Sequence, residues 1–211
     1  MTRKSNHLAC MAALLCATLL GSTPAGWAKP LHFHVNGGGA NNVEFTSDAP
    51  IEVMHGKTSK ITGDITLDDS FKFDAKHPFN ILLSVDLASI DTGIDLRNEH
   101  MRDNFLETGK YPKAIFKATS IQMSAKPDLR KPQTVNLIST GDFTLHGETV
   151  KKTIPLTVDY KPAGGGKPAR IRVHGKFPVP LAQHNIKRPE AVLVKLAETV
   201  FVDINAVGNA Q

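Results

Sequence analysis

Eight of the nine histidines lie beyond residue 28, at His32, His34, His55, His77, His100, His146, His174 and His184. His32 and His34 stand two residues apart, so on a strand both imidazoles point to one face and could begin a metal site. A third histidine or a carboxylate at a recognisable ligand spacing is missing, and surface or packing roles outweigh metal binding. No metal and no cofactor is expected. Nucleophilic chemistry has less to work with: Cys10 and Cys16 both precede residue 28, and no Gly-x-Ser-x-Gly elbow occurs. Asp68-Asp69 reads as a turn between strands rather than an acid/base pair. The densest ionisable run is Asp95-Leu96-Arg97-Asn98-Glu99-His100. It is either a solvated helix in which Glu99 pairs with Arg102 or a helix that faces a ligand. No catalytic residue is assigned, and the chain is not read as an enzyme.

The elements that must carry these residues are mostly strands. Ile61 to Leu67 places apolar residues at every second position, and Asn80 to Leu87 puts Ile81, Leu83, Val85 and Leu87 on one face. A period of two marks a half-buried strand. The same pattern recurs over Ala114 to Met123, Val135 to Leu145, Lys152 to Tyr160, Arg170 to Val179 and Thr199 to Val207. Turn signals such as Lys126-Pro127-Asp128 and Gly164-Gly165-Gly166 separate them. Ile94 to Leu106 breaks the alternation, and Thr92 with Asp95 predicts a capped start. A helix of about three turns then sets Ile94, Arg97, Met101 and Phe105 on one stripe. The stretch 189–197 fits a short helix or a strand. This is an all-β pattern with one helix, and periodicity leaves a sandwich and a closed barrel equally open.

The ends and the charge add an address. Arg3 and Lys4 precede an apolar run from Leu8 to Leu20, a Gly21-Ser22-Thr23-Pro24 break and Gly26-Trp27-Ala28. That order predicts a cleavable secretory signal over residues 1–28, because the run falls short of the ~20 apolar residues that span a bilayer. Residues 29–211 then form a single domain without a cysteine. Setting Arg3 and Lys4 aside lowers the net charge from +5 to +3. No basic stripe with interleaved aromatics exists to hold nucleic acid. All ten phenylalanines lie beyond residue 28, among them Phe45, Phe79, Phe116, Phe143, Phe177 and Phe201. Their ordinary role is core, but a barrel interior is either filled by side chains or left open for one apolar ligand.

Two ordered blocks carry a resemblance. Ala88-Ser89-Ile90-Asp91-Thr92-Gly93, Arg97-Asn98-Glu99-His100-Met101, Phe105 and Lys110 to Ile121 form the first, and Gly141 to Lys151 the second. Together they resemble the YceI-like family of bacterial polyisoprenoid-binding proteins, over Leu31 to Val207 and most strongly from Ile81 to Val158. The resemblance implies an antiparallel lipocalin-like β-barrel around an apolar tunnel, with one short helix near the barrel mouth. Asn98 stands where the family usually has Asp, and Asn42 to Ser47 replaces the Trp and His-Ser opening of many members. The Gly-x-Trp signature of classical lipocalins is missing, so the likeness to those is architectural.

The function implied is a periplasmic carrier for a long-chain amphiphilic lipid such as a polyisoprenoid. Phe45, Phe105, Phe116, Phe143 and Tyr111 are expected to line the tunnel, and Arg97 and His100 to meet the head group. The expected partner is an amphiphilic lipid or isoprenoid and not nucleic acid; peripheral contact with a membrane and formation of a homodimer stay open. Two rival readings remain: a lipid-modifying or metal-assisted hydrolase at the mouth, and a solid-core barrel acting as a protein-interaction module.

Overall fold

Alternating apolar and polar residues can bury one face only by curling that face around something. The computed structural model describes residues 30–67, 79–123, 127–188 and 194–211. The predicted signal, Asp68-Asp69, His77 and the start of the 189–197 stretch lie outside them. Ten strands follow in chain order: β1 (Leu31–Asn36), β2 (Asn42–Ala49), β3 (Glu52–Thr58), β4 (Ile61–Leu67), β5 (Asn80–Asp86), β6 (Lys113–Met123), β7 (Gln133–Leu145), β8 (Glu148–Lys161), β9 (Arg170–Pro180) and β10 (Thr199–Ala210). From β4 onward they coincide, to within a few residues at each end, with the alternating segments read from the sequence.

Every described pairing between strands is antiparallel, in the order β1-β4-β5-β6-β7-β8-β9-β10, and β1 pairs back onto β10 through Phe33 with Ala210 and Val35 with Gly208. This closes an eight-stranded barrel, which resolves the choice between sandwich and barrel. The N-terminal part departs from a simple meander. β10 pairs with β1 near its C-terminal end and with β2 over Phe201 to Asn205. β1 and β2 thus run along the same neighbour in succession, interrupted by Gly37 to Asn41. β2 pairs in turn with β3. One half of the barrel is therefore closed by β1, and the other half is walled by the β2–β3 hairpin.

Two details place the inward side chains. The register of β6 against β7 shifts between Ala118 and Ser120, a bulge that moves the inward face from Ala114 and Phe116 to Ile121 and Met123. Gly141 on β7 makes room for Phe116: a Cβ there would collide with the Lys117 carbonyl and lie 2.7 Å from the Phe116 ring.

The predicted helix is present and differs in detail. Helix α1 spans Asp95–His100 and continues as a π-helical turn over Met101–Phe105. Thr92 does not cap it through a capping box; its backbone N–H and hydroxyl both donate to Asn98 Oδ1, at 2.8 and 2.7 Å. Short 3-10 turns also occur at Leu87–Ser89 and Leu181–His184.

Candidate functional site

The inward faces do not fill the barrel. A cavity of about 500 Å³ runs through it, and the residues around it come from all ten strands. Its wall is almost wholly aliphatic and aromatic. Two buried clusters bound it. One gathers Leu87, Met101, Phe143, Ile154, Phe177 and Val179 at the helix end. The other gathers Phe33, Ile61, Leu83, Tyr160 and Ile171 at the far end. Leu156, Val202 and Ile204 touch both clusters yet are only half-buried. Side chains that point inward and still keep accessible surface signify space in front of them, where a packed core would leave none.

Polar groups gather at one end. Glu52, Arg97, His100 and Lys195 line the cavity from β3, α1 and the segment leading into β10. Arg97 is held firmly: Nη1 donates to Glu52 Oε1 at 2.7 Å, Nε to Thr92 Oγ1 at 3.0 Å and Nη2 to the Thr92 carbonyl at 2.8 Å. Three of its five N–H groups are thus spent within the protein. His100 and Lys195 are exposed, and their side chains make no hydrogen bond to the described residues. Behind Arg97, Asn98 is buried at 7 % exposure, and its Nδ2 donates to Asp91 Oδ1 at 2.8 Å. The Gly93 N–H and then the Asn98 amide hold the Asp91 carboxyl below its ordinary value.

Six of the seven residues expected at the site meet at the cavity. Phe45, Phe105, Phe116 and Phe143 lie along its wall, and Arg97 and His100 at its polar end. Tyr111 does not. Its ring stacks edge-on against His146 at 4.7 Å between centroids and covers Gly147 at the β7–β8 turn, and it is not among the residues lining the cavity. The Lys110-Tyr111-Pro112 stretch precedes β6, so its phenol is set by the loop and not by the inward alternation.

Glu52 and Lys195 escaped the sequence reading. Glu52 begins a short period-two run with Met54 and Gly56, all three facing the cavity, and Gly56 is needed because a Cβ there would collide with the Phe45 ring. Lys195 lies within the ambiguous 189–197 stretch and carries no local signal. The histidine pair expected at the surface sits on the outer wall of β1, with His32 Nδ1 at 3.0 Å from Thr66 Oγ1 and His34 Nδ1 at 2.6 Å from Asp64 Oδ1.

Comparison with known proteins bears on this arrangement. Residues 34–208 match the model of the YceI-like domain. The protein YceI of Escherichia coli O17:K52:H18 is 34% identical over 129 residues, which cover 57% of this chain and 60% of that relative. A UPF0312 protein of Vibrio parahaemolyticus is 31% identical over 116 residues, 54% of this chain and 52% of its own. The chain therefore spans about three fifths or less of the length of these curated relatives. Among solved structures, a polyisoprenoid binding domain from Saccharophagus degradans superposes with a TM-score of 0.62 at 20% identity, covering 88% of this chain and 100% of that one. BcnA of Burkholderia cenocepacia gives 0.59 at 22% identity, with 79% and 95% covered. At these identities the structural likeness speaks for the fold alone. The chain belongs to the YceI-like family.

Proposed function

We propose that this protein is a periplasmic carrier for a long-chain amphiphile, with the tail in the barrel and the polar end among Arg97, His100 and Lys195. The unfilled apolar cavity carries the reading. A protein that needed only a stable core would have filled that space, since lost packing costs stability. Each methylene-sized group of a tail placed there gains roughly 0.8 kcal/mol, against about 1 kcal/mol for a typical head-group hydrogen bond. Affinity thus comes from tail length and head-group choice from a few polar residues.

The relatives lend support. The Saccharophagus degradans structure is described as a polyisoprenoid binding domain, and an isoprenoid chain suits a wall of branched aliphatic and aromatic side chains. Together, family and barrel point to binding rather than catalysis. Export follows from the predicted signal over residues 1–28, and it would bring the barrel close to membrane lipids. Titration with prenyl alcohols of ten, fifteen and twenty carbons tests the proposal. Dissociation constants should fall stepwise with length, and equal weak binding of all three would sink it.

A further inference from the structure

Most of the barrel wall is a hydrogen-bonded ladder, and one stretch among the described residues is not. β3 pairs with β2 on one edge. On its other edge the backbone is joined only at its base, where Lys57 and Asp91 exchange two N–H···O bonds of 2.9 Å. The Thr58 and Ser89 hydroxyls, 2.6 Å apart, reinforce that base. From Gly56 to Glu52, about 13 Å of strand, no described backbone bonds to this edge. Side chains alone close the seam: Ile90 packs toward Gly56 at the bottom, and Arg97 reaches Glu52 at the tip.

Resting on the carrier reading, we infer that this seam between β3 and α1 is the lateral portal through which a tail enters and leaves, with the Arg97–Glu52 pair as its latch. Both sides of the seam already line the cavity, Glu52, Met54 and Gly56 on one and Ile90, Ile94 and Arg97 on the other. A chain passing between them enters the tunnel sideways without threading an end through the mouth. The latch is built to yield. Its side chains are 24% and 37% exposed, so water competes for them and the pair adds little stability. When it parts, Arg97 keeps both bonds to Thr92, and only one contact is broken. Parting two paired strands would instead break a backbone ladder. Apolar surface continues outward from the seam, with Ile51 and Val53 exposed beside it and the cavity-lining Ile94 and Leu96 exposed as well, so a tail leaving the seam meets apolar surface first.

Stopped-flow fluorescence with N-phenyl-1-naphthylamine, an apolar probe without an anionic or cationic head, reads the portal directly. In Glu52→Gln the association and dissociation rates should both rise several-fold, because a gate lies on the path in each direction. In the unaltered protein 0.5 M sodium chloride should speed both rates by screening the pair, and in Glu52→Gln it should have no such effect. Unchanged rates in Glu52→Gln, or a faster dissociation alone, would overturn the portal while leaving the carrier intact. An unaltered protein that takes up no probe would overturn the carrier and the portal together.

Discussion

Asn98 Nδ2 donates to Asp91 Oδ1 while Asn98 Oδ1 receives both the N–H and the hydroxyl of Thr92, so one buried amide ties the start of α1 to the end of the Lys57–Asp91 bridge. An amide can donate and accept at once, which a carboxylate at that position cannot. Asn98→Ala should therefore cost about 1–3 kcal/mol in urea unfolding, the range for leaving buried partners unpaired. The substitution also has a pH signature. Because the folded Asp91 carboxyl sits below its unfolded value near 3.8, its stabilisation is complete above that value and is lost as pH falls through the folded one. Unfolding series from pH 5 downward should show a shallower acid loss in Asn98→Ala than in the unaltered protein; an identical loss would contradict the role given to the amide.

His184 sets a second pH dependence. It is fully buried, packs edge-on against Phe143 at 5.3 Å, and its Nε2 makes no well-formed hydrogen bond among the described residues. Burial pushes its pKa below 6.5, with Lys152 acting in the same direction and the Glu148 and Leu145 carbonyls and the Glu148 carboxylate opposing. The neutral ring is the folded form, so stability is whole above pH 6.5 and declines as pH falls below it. The slope contributed by one such proton is at most about 1.4 kcal/mol per pH unit. Urea midpoints at pH 8, 6 and 5 should fall in the unaltered protein and fall less in His184→Phe. Equal slopes would remove His184 from the account.

Leu156 offers a test of tail length. It is half-buried between the two clusters, midway along the tunnel. Leu156→Trp should obstruct the tunnel, sparing ten-carbon prenyl alcohols and weakening twenty-carbon ones by tenfold or more in fluorescence competition. Uniform weakening of both would mean that the cavity is not read along its length.

A charge on the wall should be more severe. Phe116→Glu sets a carboxylate on a wall that is almost wholly apolar, and burying an unpaired charge is costly. Lipid retention should be lost in protein that still folds by circular dichroism, while retention at the unaltered level would remove Phe116 from the tunnel wall.

The strands from β4 to β10 are legible because Ile61 to Leu67 and its successors carry apolar residues at a period of two over most of their length. The bulge at Thr119 was not, since Ala114 to Met123 looks like a single run and the shift shows only against the β7 register. β2 and β3 were obscure for a related reason. Glu52, Met54 and Gly56 face inward, and an acid followed by a glycine does not announce an inner face. Hollowness itself leaves no trace in periodicity, because Leu156 and Val202 would alternate identically in a solid barrel. Arg97 and His100, which line the cavity, stand out in the sequence through the family blocks, and Tyr111, in the same block, is not among the lining residues because motif membership carries no direction for a loop side chain.

The central claim is that the barrel holds a tail. Native mass spectrometry of gently purified protein, followed by solvent extraction and identification of what is released, tests it most directly. The account predicts a protein mass increased by one amphiphile that is recovered chemically unchanged with a long apolar chain. A spectrum containing only the bare polypeptide, from material that also fails to take up added prenyl alcohols, would contradict it.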